Sequence, residues 1–495
     1  MVGQILGLLA LHLVFVAVGG CVLVGVGYLP LRPGIAGGFG AIGPAFLLGV
    51  GIVVPILIVV LVAGGTITPA TTVIVASGCV SVALACTWRR RSRLPGTGEV
   101  VGRLVSRPAA ARAVRAAVVV LAVLAALYGF YALFRLPTQG DDARIWSLRG
   151  LTLSYYGRLQ PEIFLDPLQA GAHPTYPLLL ATVEALLGQW TGAPQARLYH
   201  AELWLLFLSA LWTAGYVLAR DDASPRLWGV PLWLPALLLP AVVRESTVNI
   251  ALGDADIVAA VLVGAGAVGI GVWLERRDVR ALVVGTVVLV AAASTKNEGM
   301  VASAVVLAVA VAISVLRIVV RRGGRTLPAD LRSRARTDVL PVVVAVAWFV
   351  AMIAPWRIWC ARHHLTDSVE PPIPRALSPS YIAGRSHEIH ESLTGMLAQV
   401  NDWWAWIGAI FIVACGVCVA RGVTRAVAAF YLLAVGGIVL ALLWLYATSS
   451  LNLAWLLSGS VARTVGLFMV LCCLGSAHLI ARLLASEPRD VLASE

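Results

Sequence analysis

The sequence predicts an all-helical protein that crosses a lipid bilayer many times. Of its 495 residues, 60% are hydrophobic and only 13% are charged, and long apolar runs recur from one end to the other. A soluble domain carries about 25% charged residues. An apolar run of about 18 residues is long enough, as a helix, to cross roughly 30 Å of hydrocarbon. Such runs must be helical, because lipid offers the backbone no hydrogen-bond partners.

Thirteen apolar segments are candidates to span the membrane. They lie near residues 4–28, 39–64, 70–87, 112–134, 200–219, 227–243, 256–274, 281–294, 300–320, 338–358, 402–420, 426–447 and 464–484. A further apolar segment, 174–190, is short and contains Glu184. We interpret it as an interfacial or re-entrant helix on the outer side, because counting it as a span would reverse every later loop.

The distribution of arginine sets the orientation. Clusters occur at Arg89–Arg91, Arg276–Arg277, Arg321–Arg322 and Arg332–Arg336. Because cytoplasmic loops are rich in basic residues, these clusters are expected inside. The net charge of +12 therefore indicates topology, and nucleic acid is not an expected partner. The lipid bilayer is, and we predict a multi-pass plasma-membrane protein.

This threading places five connections outside, and we expect the functional site among them. They are residues 135–199, 244–255, 295–299, 359–401 and 448–463. Two of these, 135–199 and 359–401, are long, and we expect them to be irregular loops.

We predict three regions along the chain. Residues 1–107 form an N-terminal extension of three spans with a basic cytoplasmic loop, 108–484 a transmembrane core, and 485–495 a cytoplasmic tail. The N-terminus has no basic segment before its apolar run, so a cleaved signal peptide is not expected. All eight cysteines lie in or beside apolar runs, and the Cys415–Cys418 pair has no further ligand nearby. We therefore expect no redox or metal role for them.

An acidic pair, Asp141 and Asp142, follows the fourth predicted span. A carboxylate at the mouth of a helical bundle is placed to act as a general base or to hold a cation. Solvated loop acids are the alternative. Trp146 and Arg149 follow closely; such side chains stack on sugars and hold phosphate, although an interfacial aromatic belt explains them too.

Two further polar elements lie at predicted outer span ends. Asp254 and Asp256 precede a span, where acids either face a cavity or stabilise the positive end of the helix dipole. Lys296, Asn297 and Glu298 form a tight turn between two spans. Lys296 is the only lysine of the chain, which indicates a need for a compact ammonium; a helix-capping turn is the alternative.

The last span begins outside with Ser460 and Arg463. An outward arginine at membrane depth suits an anion such as a lipid phosphate, or it snorkels to the interface. In the loop 359–401, the segment His387–Glu391 contains two histidines and two glutamates, but its spacing supplies no complete metal site.

Five motifs in this order resemble one enzyme superfamily. They are Asp141 with Ile145, Trp146 and Arg149; His173-Pro174-Thr175-Tyr176-Pro177; Gly253-Asp254-Ala255-Asp256; Thr295-Lys296-Asn297-Glu298-Gly299; and Ser460 with Arg463. Over about residues 112–484 the chain resembles the GT-C membrane glycosyltransferases, and most closely the bacterial relatives of protein O-mannosyltransferases. It departs from them where Asp254 replaces a common tyrosine and in its three extra N-terminal spans.

The resemblance implies transfer of a sugar from a polyprenyl-phosphate lipid to an extracytoplasmic hydroxyl. The acceptor is a cell-envelope glycan, a lipid or a protein. Asp141 takes the catalytic position beside Asp142. Lys296, Arg463 and Arg149 are expected to hold the donor phosphate. The other expected cavity residues are His173, Tyr176, Trp146, Asp254, Asp256, Asn297 and Glu298. No cofactor is indicated; a divalent metal is compatible with the acids, and some relatives use one.

Two other functions compete with this interpretation. A transporter or flippase of a lipid-linked or anionic substrate predicts ionisable groups near mid-membrane and internal repeats. We find no clear repeat, and the acids cluster at the predicted outer mouth. A non-catalytic assembly protein would leave the placement of the aspartates, Lys296 and Arg463 without explanation.

Overall fold

The computed structural model describes residues 2–28, 41–91, 142–165, 173–193, 196–219, 255–320, 335–365, 378–449 and 451–485. Throughout these residues the regular structure is helical, without a β-strand. The helices are α1 (Val2–Gly25), α2 (Ile42–Val62), α3 (Pro69–Arg91), α4 (Leu148–Tyr156), α5 (Pro161–Leu165), α6 (Leu179–Thr191), α7 (Ala196–Ala219), α8 (Asp256–Arg276), α9 (Val279–Thr295), α10 (Asn297–Val320), α11 (Leu340–Arg362), α12 (Pro379–Ala383), α13 (Ser386–Gln399), α14 (Ala405–Ala420), α15 (Arg425–Thr448) and α16 (Leu453–Ala485). Short π-helical segments lead into α4 (Asp142–Ser147), α11 (Ala335–Val339) and α14 (Val400–Trp404).

The described helices confirm a polytopic helical membrane protein. Ten helical stretches are long and apolar enough to cross a bilayer, one of them running without a break from α13 to the end of α14, and α9 is a shorter apolar helix of 17 residues. Together they account for eleven of the thirteen predicted spans. The other two, 112–134 and 227–243, lie outside the described residues, so the total of thirteen stays a prediction.

The ambiguous segment 174–190 forms the 13-residue helix α6. At 1.5 Å per residue it is about 20 Å long, which is too short to cross the hydrocarbon. Its last turn packs against the first turns of α1, where a Cβ on Gly7 would meet the carbonyl oxygen of Trp190. The length fits an interfacial or re-entrant helix, and its depth in a membrane stays a prediction.

The expectation of irregular loops is wrong for much of 135–199, where α4, α5 and α6 form, and for the second half of 359–401. Residues Ser386–Gln399 form α13, which continues through a π-helical turn into α14. Ser392 and Met396, four residues apart, are buried on the face of α13 that packs against α15 and α16. The polar composition of this segment therefore belongs to an amphipathic helix.

Contacts between connections define two ends of the bundle. At one end, which we call the arginine end, Arg280 donates to the Gly27 carbonyl (3.2 Å) and Arg277 pairs with Asp338 (3.1 Å). Helix α9 runs away from this end for 17 residues and stops at Thr295. Lys296 therefore lies at the opposite end, which we call the site end.

The first three helices are packed into the same bundle as the rest. Helix α2 contacts both α7 and α9; Gly43 faces Trp212, and Gly51 faces Val287. Helices α1 and α2 also approach closely through small residues, as is common in membrane interfaces. The predicted boundary at 107 lies outside the described residues.

Candidate functional site

The site is built around the reversal from α9 to α10. Helix α9 ends at Thr295 and α10 begins at Asn297, so Lys296 alone connects them in extended conformation (φ −153°, ψ 156°). Its carbonyl accepts the first backbone hydrogen bond of α10, from Met300 (3.0 Å). Glu298 lies in the first turn of α10, where a negative charge is favoured by the helix dipole.

Gly299 permits this reversal to be tight. A Cβ at this position would lie 2.5 Å from the carbonyl oxygen of Ala292 and 3.3 Å from the Cβ of Ala259. The first turn of α10 therefore rests directly on the backbone of α9 and beside α8. This close approach places Lys296 and Glu298 next to the start of α8.

Lys296 forms two ion pairs inside the protein. Its Nζ atom lies 2.6 Å from Oδ1 of Asp256, the first residue of α8, and 3.3 Å from Oε1 of Glu298. Burial alone lowers the pKa of the lysine, but these two carboxylates outweigh it and raise the pKa well above its ordinary value. Lys296 is therefore an ammonium at neutral pH.

Arg463 approaches the same carboxylate from α16. Its Nη1 atom lies 3.8 Å from Oδ2 of Asp256, and the arginine side chain is 23% exposed. Beside it, the hydroxyl of Tyr446 on α15 is hydrogen-bonded to Ser460 (2.9 Å) and Thr464 (2.6 Å). Asp256 thus joins Lys296 and Arg463, and α15 supports the α16 side of the site.

A turn at residues 173–176 forms a second wall. The Tyr176 amide donates to the His173 carbonyl (3.0 Å), and His173 has a positive φ of 56°. The Tyr176 ring stacks on His173 (4.4 Å between centroids) and on Trp146 (5.6 Å). The Lys296 ammonium lies 5.7 Å from the centroid of the Tyr176 ring, within the range of a cation–π contact.

Thr175 ties this turn to α10 and α11. Its carbonyl accepts hydrogen bonds from Trp356 (3.0 Å) and Arg357 (3.4 Å), and its hydroxyl accepts one from Asn297 (3.4 Å). Arg357 also donates to the side-chain oxygen of Asn297. The Thr295–Gly299 motif and the 173–176 turn are therefore parts of one structure.

Arg357 differs from Lys296 in having neutral partners. Its guanidinium contacts the Thr175 carbonyl, the Asn297 amide oxygen and the Met300 sulfur, and no described carboxylate lies within ion-pair distance. Its Nε atom is buried without a hydrogen-bond partner. A partly buried cation that has no counter-charge among the described residues favours an anionic ligand.

Sequence reasoning missed Arg357, together with Trp356 and Tyr446. All three lie inside or at the end of apolar runs. For Arg357 a signal existed, because an ionisable residue within a predicted span is by itself a candidate functional residue. For the two aromatic residues, no feature of the sequence separates them from ordinary core or interface positions.

Arg149 and Trp146 lie behind the 173–176 turn. Arg149 on α4 is buried and donates to the His173 carbonyl, and Trp146 is 2% exposed. Trp146 is therefore a core residue of the site wall, and the alternative of an interfacial belt is wrong for it. The described contacts of Arg149 connect it to the 173–176 turn, and none of them is with Lys296.

The remaining predicted site residues are only partly placed. Asp141 and Asp254 lie outside the described residues. Asp142 begins the π-helical turn that leads to Trp146, which places its backbone close to the aromatic wall. The catalytic roles assigned to the acidic pair stay predictions.

Among the described residues, no group of three or more histidine, cysteine, aspartate or glutamate side chains is arranged to hold a metal ion. His387 and Glu391 contact each other at 3.5 Å on the exposed face of α13.

The chain was compared with protein-family models, curated proteins and solved structures, and none of them matches it.

Proposed function

We propose that this protein is a membrane glycosyltransferase. In the proposed reaction, a hexosyl or pentosyl group passes from a polyprenyl-phosphate lipid to an acceptor hydroxyl of the cell envelope, outside the cytoplasm. The observation that carries the proposal is the assembly of Asp256, Lys296, Glu298, Arg463 and Arg357 at the bundle end opposite the arginine end. Among the described residues, this set contains three cations and two carboxylates.

The cations of this set suit the donor lipid. A polyprenyl-phosphate sugar is a phosphodiester with one negative charge, and its phosphate gains a second charge as the sugar leaves. Cations placed in advance around this group stabilise the transition state more than the ground state. A lipid donor also gives a reason for building the site at the end of membrane-crossing helices.

In the proposal, the three cations have different roles because their contacts differ. Lys296 is occupied by Asp256 and Glu298, so its main effect is to hold those carboxylates in place. The described partners of Arg357 are neutral, and the Arg463 side chain is 23% exposed. We therefore assign direct phosphate contact to the two arginines, with Lys296 behind them.

The acceptor side of the proposed reaction requires a base. The hydroxyl oxygen attacks the anomeric carbon, the bond from that carbon to the phosphate oxygen breaks, and the phosphate keeps the electron pair. The hydroxyl proton must go to a basic group, and Asp141 is the assigned acceptor. Asp142 starts the segment that leads to Trp146, so the chain enters the site wall directly after the acidic pair.

One observation favours the alternative of a transporter or flippase. His12 of α1 and Glu202 of α7 form an ion pair of 2.5 Å between apolar helices. His12 Nδ1 donates to the Leu8 carbonyl (2.7 Å), which leaves Nε2 facing the glutamate carboxylate. Proton-coupled transport predicts that His12→Gln and Glu202→Gln abolish function. The glycosyltransferase proposal predicts that a folded variant retains transfer.

The proposal is tested with purified protein in lipid nanodiscs. A series of synthetic polyprenyl-phosphate sugars serves as donors, and an envelope extract serves as acceptor. Mass spectrometry should detect a glycosylated product with the parent protein and less of that product with Arg357→Gln. Flux of a lipid-linked sugar across the bilayer, without any new glycosidic bond, would support the transporter instead.

A further inference from the structure

A second polar cluster lies at the arginine end of α8 and α16. Glu275 of α8 lies 2.9 Å from Arg482 Nε and 3.4 Å from His478 Nε2, both on α16. His478 Nδ1 is hydrogen-bonded to the hydroxyl of Tyr431 on α15 (3.0 Å). We call these four residues the inner clamp. His478 and Tyr431 are fully buried, and Arg482 is nearly so.

The inner clamp and the site are separated by the same number of residues on α8 and on α16. Nineteen residues separate Asp256 from Glu275 on α8, and nineteen separate Arg463 from Arg482 on α16. The two helices run parallel, since Gly264 faces Val470 and Leu474 while Gly271 faces His478. Two ion pairs thus join the same helices at both ends, about 28 Å apart along the axis.

Helix α15 is also held against α16 at both ends of the bundle. Helix α15 contacts α16 through Tyr431 and His478 at the arginine end, and through Tyr446 with Ser460 and Thr464 at the site end. Axial sliding of α16 would therefore break polar contacts with both neighbours. Apolar packing alone resists such sliding weakly in lipid, because one apolar contact replaces another.

We infer that Glu275 and Arg482 are positioning residues. Their ion pair fixes the axial register of α16 against α8 and thereby holds Arg463 beside Asp256 at the other end of the bundle. The consequence for donor binding rests on the proposed function, whereas the register itself does not. Removing either charge should let α16 shift along α8, so that Arg463 no longer lies within reach of Asp256.

The register is measured by disulfide cross-linking in membranes. Gly264→Cys and Val470→Cys are introduced into the full-length chain after replacement of the eight native cysteines. Glu275→Gln and Arg482→Gln should each lower the cross-linking yield at least threefold. Asp338→Asn is the matched control, because it removes an ion pair with α8 at the same end without involving α16. Glu275→Asp keeps the charge and should restore most of the yield.

A kinetic measurement accompanies the cross-linking. With a polyprenyl-phosphate sugar that the parent uses, Glu275→Gln should raise the donor KM about tenfold and change kcat much less, whereas Asp338→Asn should change neither. The inference would be overturned if Glu275→Gln and Arg482→Gln gave the same cross-linking yield as Asp338→Asn. If the parent transfers no sugar, the proposed function fails, and the cross-linking comparison still decides the register.

Discussion

The ammonium of Lys296 lies 2.6 Å from the carboxylate of Asp256, and each residue stands at the end of a different apolar helix. Both side chains are more than nine-tenths buried, so neither charge is stabilised by bulk water. Removing one partner from a buried pair typically costs ~3–5 kcal/mol, because the other charge is left uncompensated. The Lys296–Asp256 pair therefore supports the structure of the site as well as its chemistry.

Replacement of Lys296 is predicted to damage both stability and function. Lys296→Ala leaves Asp256 and Glu298 without their shared cation. Lys296→Arg keeps the charge but forces a larger, planar group into the same space, so it should be harmful to a lesser degree. Thermal unfolding of the purified protein should show the order parent, Lys296→Arg, Lys296→Ala, and sugar transfer should follow it. Arg362→Ala at the exposed end of α11 is the control and should behave as the parent. Full stability of Lys296→Ala would refute the structural role.

Arg357 is predicted to contribute to donor affinity. Its guanidinium has neutral partners, so a phosphate would supply the missing counter-charge. A hydrogen bond to a charged group contributes roughly 1.5–3 kcal/mol, which corresponds to about a 10- to 100-fold increase in donor KM for Arg357→Gln. Arg362→Gln, five residues further along α11, is the matched control. Equal donor KM values for the two variants would exclude a role for Arg357 in donor binding.

Gly299 offers a test of the α9–α10 reversal that involves no charge. A Cβ here would lie 2.5 Å from the Ala292 carbonyl oxygen, so Gly299→Ala should destabilise the protein by ~1–3 kcal/mol. A Cβ at Gly416 of α14 meets nothing within 4 Å, so Gly416→Ala should be neutral or mildly stabilising. Thermal unfolding of the two variants side by side checks the difference. Indistinguishable unfolding temperatures would contradict the close approach.

The fold could be predicted from the sequence because its signal is run length. Each apolar run of sufficient length must form a helix in lipid, whatever its neighbours do. Helix α13 was not predicted because only two of its positions, Ser392 and Met396, are buried among many charged and polar residues. Those positions are apparent only when the helices that they contact are known.

The site was predicted in part, because threading indicates which connections lie on the same side of the membrane. Threading alternate connections to one side brings Asp256, Lys296 and Arg463 to the same end. Threading carries no information about the face of a helix or the axial offset between two helices. Arg357, which lies near the end of an apolar run, and the Glu275–Arg482 pair, 207 residues apart, therefore needed the three-dimensional structure.

The acidic pair supplies a prediction about the catalytic base. Asp141→Asn keeps the shape of the side chain but accepts no proton, so transfer should fall by roughly 10²–10⁴ while folding and membrane insertion stay normal. Asp142→Asn is the matched variant and should retain most activity. Rates of sugar transfer from one donor, measured for both variants, separate the two residues. Loss of activity only in Asp142→Asn would exchange their roles, and full activity in both would exclude a base at this pair.

The central claim, sugar transfer from a lipid phosphate, is tested most directly by one measurement. Purified parent protein in nanodiscs is incubated with a series of polyprenyl-phosphate sugars and an envelope extract, and new glycosidic products are identified by mass spectrometry. The account predicts a product from at least one donor, which requires Asp141 and is reduced in Arg357→Gln. Folded protein that gives no glycosidic product with any donor of the series would contradict it.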